Sequence, residues 1–250
     1  MSIVGIIPAR WGSSRLPGKV AIPLEGRSML EHVWRGARRC ERLRDVLVAT
    51  DDARIVRLCQ SFGASATLTS AVHPTGTDRI AEVAAGLDDE IVVNVQGDEP
   101  LIEPRIIDAA LDALAADPGA VMSTVVHAAE PGALENPNRV KVALDRRGRA
   151  LYFSRSPIPA GQAGSMAKDV WQHVGLYAYR RQFLLDFVRL ERGALEGAER
   201  LEQLRALEHG FAIAVGSVDG WHSVAVDVVE DVPAAEAALR AREASRRGPR

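Results

Sequence analysis

Residues 6–19 read IIPARWGSSRLPGK and set Arg10, Arg15 and Lys19 in one loop directly after an apolar run. Gly12 and Gly18 let main-chain N–H groups approach a ligand closely, and Ser13 and Ser14 add hydroxyl donors. Three cations among that many donors suit a triphosphate, whose oxygens need several charge-assisted contacts. The spacing is neither G-x-x-x-x-G-K-[ST] nor G-x-G-x-x-G, so the loop is not a Walker A loop or a dinucleotide fingerprint. The plain alternative is a surface loop of solvated arginines.

Two carboxylates extend the pattern. VVNVQGDEP, residues 92–100, ends an apolar strand at Asp98, and VAVDVVEDV, residues 224–232, sets Asp227 after another apolar run and before the closing helix. A carboxylate at the carboxyl end of a strand, beside a phosphate loop, suits Mg²⁺, which binds through one or two carboxylates plus phosphate oxygens and water. A pair of them around a phosphate suits in-line displacement. The structural alternatives are an Asx turn before Pro100 for Asp98 and a helix cap for Asp227.

Further candidates lie between. PTGTDRIAEV puts Gly76, Thr77 and Arg79 at a helix start, where Thr77 is the expected cap and the helix N-terminus suits an anion. YFSRSPIP places Ser154 and Arg155 at a strand end, and His173 and Tyr177 share one face of a later strand by its period of two. No His/Cys metal cluster and no Ser-His-Asp arrangement stands out. With 5% aromatic residues there is no stacking platform for single-stranded nucleic acid.

The elements that must hold these residues read as an α/β chain. SIVGII, DVLVAT, SATLT, IVVNVQ and AVMSTVV are strand-like runs separated by helical patterns, as βαβ units of a largely parallel sheet require. Ser28 with Glu31 forms a capping-box pattern, and Gly63 ends the second helix. From about residue 125 the pattern changes. VKVALD, RRGR and ALYFSR read as an antiparallel hairpin, HVGLYAYR as a strand, ERLEQLRALEHG as a helix stopped by Gly210, and FAIAVGSV as the last strand.

The totals limit the function. With 250 residues, 47% of them hydrophobic, and a net charge of −2 from 33 acidic and 31 basic side chains, the chain reads as one domain with a substantial core and no nucleic-acid or polybasic membrane footprint. Any phosphate recognition is therefore local. Cys40 and Cys59 lack a C-x-x-C spacing and read as reduced packing residues. No secretory signal pattern and no run of 18 apolar residues is present, so a cytoplasmic location is the default expectation.

IIPARWGSSRLPGK, PTGTDRIAEV, VVNVQGDEP, NPNRVKV, LYFSRSPIP, HVGLYAYR and LEQLRAL stand in the order seen in the 3-deoxy-manno-octulosonate (Kdo) cytidylyltransferase family, and the chain resembles that family over roughly residues 3–232. The resemblance implies a Rossmann-like nucleotide-diphospho-sugar transferase fold, a mixed, mostly parallel sheet flanked by helices, with an antiparallel dimerisation insertion at about 125–180. It also implies a homodimer, dependence on Mg²⁺, a role in lipopolysaccharide biosynthesis, and transfer of CMP from CTP to Kdo with release of pyrophosphate.

By motif, Arg10, Ser13, Ser14, Arg15, Lys19, Gly76, Thr77, Arg79 and Gln96 would bind the nucleotide, with Arg10, Lys19 and Asp98 central to catalysis. Asp98 and Asp227 would ligate the metal, and Gln96, Arg155, His173, Tyr177, Glu202 and Gln203 would meet the sugar acid. The chain departs from the family at Trp11-Gly12, where an aromatic-Ala pair is usual, and at Val228-Val229, where Thr-Pro is usual. It also looks shorter between Pro159 and Trp171. The alternatives are a cytidylyltransferase for a related 2-keto sugar acid, a metal-dependent glycosyltransferase, and a nucleotide-binding module without activity.

Overall fold

The computed structural model describes residues 1–12, 16–129, 132–160, 170–222 and 224–247, with backbone alone for the last two. The chain forms two compact units, one from residues 1–104 with the C-terminal stretch and one from 105–222.

In the first unit the chain runs through β1 (Ile3–Ala9), a small hairpin of β2 (Pro23–Leu24) and β3 (Arg27–Ser28), α1 (Met29–Ala37), β4 (Asp45–Thr50), α2 (Ala53–Phe62), β5 (Ser65–Leu68), α3 (Gly76–Ala85) and β6 (Ile91–Asn94). Its strands pair in parallel in the order β6-β1-β4-β5. β1 has a strand partner on each edge and is buried on both faces, and its sequence is accordingly apolar throughout, with Val4, Ile6 and Ile7 fully buried. Pro8 fits this central strand because β6 has already left the ladder. Pairing with β6 ends at Ile6 opposite Asn94, on the edge where the missing N–H of Pro8 would have pointed.

Local signals set the helix ends. Ser28 accepts a hydrogen bond from the Glu31 N–H to start α1, and Gly63, at φ 83°, ends α2 in the left-handed conformation. The cap of α3 is Thr75 and not Thr77. Thr75 and Asp78 form a reciprocal capping box, while Thr77 is buried in the first turn.

The second unit contains α4 (Pro104–Ala116), β7 (Ala120–Ala128), β8 (Lys141–Leu144), β9 (Ala150–Ser154), β10 (Trp171–Arg180), α5 (Arg181–Phe187), α6 (Ala194–Glu199), α7 (Leu204–Glu208) and β11 (Ala212–Ser217). β11 runs parallel to β7, whereas β7 with β10, β10 with β8 and β8 with β9 are antiparallel. The expected hairpin is present. Asp145 accepts from the N–H groups of Arg147 and Arg149, and Gly148 takes φ 76° in the turn. The continuous helix expected over ERLEQLRALEHG is instead broken: α6 stops at Glu199, Arg200 adopts φ 54°, and helix resumes at Leu204. Parallel units with crossover helices followed by antiparallel strands make the mixed α/β architecture read from the sequence. The chain then closes with α8 (Val232–Arg247), part of the first unit.

Candidate active site

At the carboxyl ends of the first unit's strands, Arg10, Lys19, Gly76, Arg79, Gln96, Asp98 and Asp227 line a cavity of about 390 Å³. Open parallel sheets bind ligands at this end. Pro8 forms its floor. A Cβ on Gly76 would lie 3.2 Å from the Pro8 ring and one on Gly97 would lie 3.1 Å from the Pro8 carbonyl oxygen, so glycine lets both segments approach β1 without the small shifts a side chain would require.

Lys19 is positioned by the turn before it. Gly18 takes φ 70° and donates its N–H to the Trp11 carbonyl at 2.9 Å, which closes the loop, and Lys19–Ala21 continues as a single 3₁₀ turn. A Cβ on Gly18 would meet the Trp11 indole at 3.2 Å, and the Arg54 guanidinium stacks over that indole at 4.0 Å. Ser13, Ser14 and Arg15 lie outside the described residues. Arg10 is exposed on the cavity wall.

The two carboxylates converge on Lys19. Its Nζ donates to Asp98 Oδ2 at 2.8 Å and to Asp227 Oδ1 at 3.2 Å, with the Val226 carbonyl oxygen at 3.3 Å. Residues so distant in sequence meet because the Val226 N–H donates to the Asp98 carbonyl oxygen at 3.0 Å. Asp227 is not a cap. Asp231 supplies the return arm of a capping box, accepting from the N–H groups of Asp227 and Val228 at 2.8 and 3.0 Å, while Val228 at the N-cap has no side-chain oxygen to accept from the first turn.

Among the described residues no group of three or more His, Cys, Asp or Glu side chains could hold a metal. Two convergent carboxylates are nevertheless the hard oxygen donor set that Mg²⁺ uses when substrate phosphates and water complete its shell, so the residues present fit that ion.

Other predicted residues are placed differently. Arg79 reaches the cavity wall, yet its guanidinium donates to Asp51 at 2.9 Å, to Thr69 Oγ1 at 2.5 Å and to the Ser70 carbonyl at 3.3 Å. It ties α3 to the loop after β5. The Gln96 amide donates to Asn94 Oδ1 at 3.1 Å. His73 lines the cavity too, paired with Glu82, and sequence reading misses it because a lone histidine before a helix carries no spacing signal.

The sugar-acid candidates Arg155, His173, Tyr177, Glu202 and Gln203 all lie in the second unit. His173 and Tyr177 share a face of β10, with ring centroids 5.4 Å apart, although the pairing with β7 shifts register between Val174 and Tyr177. Thr124 Oγ1 lies 2.8 Å from the Leu176 carbonyl oxygen, 3.2 Å from that of Val174 and 2.9 Å from His173 Nε2, so a hydroxyl hydrogen given to either carbonyl leaves Oγ1 to accept from an Nε2–H tautomer. Burial pushes the His173 imidazole down to about 3, so the ring is neutral. Burial, with the Glu202 carboxylate near it, raises Tyr177 above the ordinary phenol value. Gln203 is 4% exposed, and its amide nitrogen is buried without a hydrogen-bond acceptor among the described residues.

A supporting network here was not foreseen. Lys141 is fully buried, and burial holds its ammonium below the ordinary lysine range. Its Nζ donates to the carbonyl oxygens of Arg155 at 2.5 Å and Asn136 at 3.1 Å. Glu199 accepts from Ser154 Oγ at 2.6 Å and from the Arg155 N–H at 2.8 Å; burial opposes its charge, but these donors keep its pKa below the usual carboxylate value.

Comparison with known proteins shows the family. The cytidylyltransferase family profile matches residues 4–213. A 3-deoxy-manno-octulosonate cytidylyltransferase of Solibacter usitatus is 47% identical over 231 residues, 92% of this chain and 91% of that protein. The chain belongs to the 3-deoxy-manno-octulosonate cytidylyltransferase family. Another member, from Syntrophotalea carbinolica, is 46% identical over 249 residues, covering 96% of this chain and 99% of its own.

Among solved structures, a CMP:2-keto-3-deoxy-manno-octonic acid synthetase complexed with CTP superposes with a TM-score of 0.90 at 39% identity, covering 97% of this chain and 100% of that one. A putative glucose-1-phosphate thymidylyltransferase from Bacillus anthracis, with a TM-score of 0.67 and 16% identity, shares the fold. The Kdo cytidylyltransferase family thus sits within a broader nucleotidyltransferase architecture.

Proposed function

We propose that this chain transfers CMP from CTP to the anomeric hydroxyl of 3-deoxy-D-manno-octulosonate, giving CMP-Kdo and pyrophosphate. The observation that carries the reading is the meeting of Lys19, Asp98 and Asp227 in one strand-end cavity, in a chain 47% identical to a Kdo cytidylyltransferase. In the reaction the anomeric oxygen forms a bond to the α-phosphorus as the bond to pyrophosphate breaks, and the hydroxyl proton leaves to solvent. Both reactants are anions and repel each other until cations intervene. Arg10, Arg15 and Lys19 supply that charge, and fixing the reactants in line provides up to roughly 7–11 kcal/mol by orientation. No covalent nucleophile is needed.

Asp98 and Asp227 would hold Mg²⁺, which when bound neutralises developing charge on the phosphates. Arg155, His173, Tyr177, Glu202 and Gln203 would receive the sugar acid. The same reading makes the protein a homodimer acting in the cytoplasm in lipopolysaccharide biosynthesis.

The test mixes the protein with CTP, Mg²⁺ and Kdo and measures pyrophosphate, beside parallel reactions with sialic-acid-like and modified 2-keto sugar acids. Pyrophosphate release that is fastest with Kdo and abolished by EDTA is the expected result. Faster turnover of another acid would reassign the substrate, and CTP binding without pyrophosphate would leave only a binding module.

A further inference from the structure

Arg155 is bonded into the second unit through both its main chain and its guanidinium, whose two terminal nitrogens each keep a second N–H beyond these bonds. Its N–H goes to Glu199 Oε2 at 2.8 Å, and its carbonyl oxygen receives Lys141 Nζ at 2.5 Å. The guanidinium is also engaged: Nε donates to the Glu199 carbonyl at 2.9 Å, Nη1 to the Pro137 carbonyl at 3.0 Å, and Nη2 reaches the Arg200 carbonyl at 3.5 Å. These contacts converge on one corner. Arg200, a non-glycine residue at φ 54° and ψ 46°, sits in the left-handed region that side chains disfavour, and the surroundings must hold it there.

The corner aims the residues just beyond it. Glu202 and Gln203 stand at the entry to α7, and the buried Gln203 amide nitrogen has no acceptor among the described residues. An unpaired buried donor is costly unless a ligand oxygen meets it. Its placement depends on the turn at Arg200, which is set by the Glu199 main chain on one side and the α7 helix on the other.

We infer that Glu199 is a positioning residue for the sugar-acid site, acting through Arg155 to fix the Arg200 corner and so the placement of Glu202 and Gln203. This rests on the cytidylyltransferase reading. Lys141 anchors the strand end from beneath and Glu199 clamps it from the helix side, so loosening the Glu199 grip lets the corner relax and carries Gln203 away from the sugar oxygen it would meet. On the same reading CTP is held by a different set of residues, those lining the first unit's cavity.

The experiment measures initial rates of wild type, Glu199→Gln and Ser154→Ala while Kdo and CTP are varied independently, with circular dichroism to report folding. Glu199→Gln should raise KM for the sugar acid about tenfold or more while KM for CTP stays within twofold. Ser154→Ala, which removes a single donor to Glu199 and is the milder change, should move KM for the sugar acid in the same direction by a smaller factor. Unchanged sugar-acid KM in the folded variants, or equal rises in both constants, would overturn the inference and leave Glu199 a purely structural role. An inactive wild type would instead overturn the functional reading on which it rests.

Discussion

Lys19 Nζ lies 2.8 Å from Asp98 Oδ2, with side chains only 15% and 29% exposed, at the rim of the cavity that gathers the phosphate-loop cation. The same ammonium reaches Asp227 at 3.2 Å, so one positive charge holds two carboxylates that would otherwise repel. The loop lysine therefore has two roles. It keeps the acidic pair together and, on the proposed function, would also present charge to the triphosphate.

Replacing Lys19 should therefore do more than remove a phosphate contact. Lys19→Ala is expected to lower kcat/KM for CTP by about 1.5–3 kcal/mol, roughly 10- to 150-fold, the scale for losing a charge-assisted hydrogen bond. Lys19→Arg should not restore it, because a planar fork cannot reproduce a compact ammonium between two carboxylates. Asp98→Ala should abolish Mg²⁺-dependent pyrophosphate release with an unchanged circular dichroism spectrum. Steady-state kinetics on the three variants check this, and near-normal turnover of Asp98→Ala would remove that residue from the metal site.

Glu196 and Arg205 form a different kind of pair. Two hydrogen bonds of 2.7 Å join them, their side chains are 10% and 4% exposed, and the guanidinium also lies 4.8 Å from the Phe187 ring. Removing Glu196 takes both short bonds from a buried guanidinium whose other partners include Glu202 at 3.8 Å and the Phe187 carbonyl at 3.4 Å, a loss on the order of 3 kcal/mol. Glu196→Ala should lower stability by that amount in urea unfolding, and the double variant Glu196→Met with Arg205→Met should recover most of it. Equal losses in the single and double variants would show that packing, not charge, dominates here.

Much of this is legible in the sequence because it follows from local patterns. The β1 loop, the GDE turn and the aspartate before the last helix each announce a strand end with charged residues, and all three lead to one cavity. What escapes is tertiary. Nothing in ERLEQLRALEHG marks Arg200 as left-handed, because the cause is the grip of Arg155 on neighbouring carbonyls. Thr75 and Asp78 have capping-box spacing, yet so short a stretch with two threonines leaves Thr77 as a rival cap; the decisive fact is which threonine turns outward, and Thr77 is 3% exposed. Arg79 reads as a ligand by its motif, yet its geometry joins it to Asp51 and Thr69.

Acid should test the neutral state of His173, which is part-buried on β10. The residue is neutral in the folded protein, with burial pushing it down to about 3 from an ordinary value of 6.5. Between those two values the unfolded chain binds a proton that the folded one does not, so the histidine's contribution to stability is intact above about pH 6.5 and is withdrawn as pH falls toward 3. The slope is at most about 1.4 kcal/mol per pH unit for one proton. His173→Phe keeps a ring against Phe153 and Tyr177 but cannot titrate, so wild type should lose stability relative to this variant from pH 6 to pH 5 and hold a constant difference between pH 7 and pH 8. Urea unfolding of both proteins at those four pH values measures it. A difference that stays constant down to pH 5 would mean that the folded protein protonates His173 as readily as the unfolded chain does, and that its pairing with Thr124 does not keep it neutral.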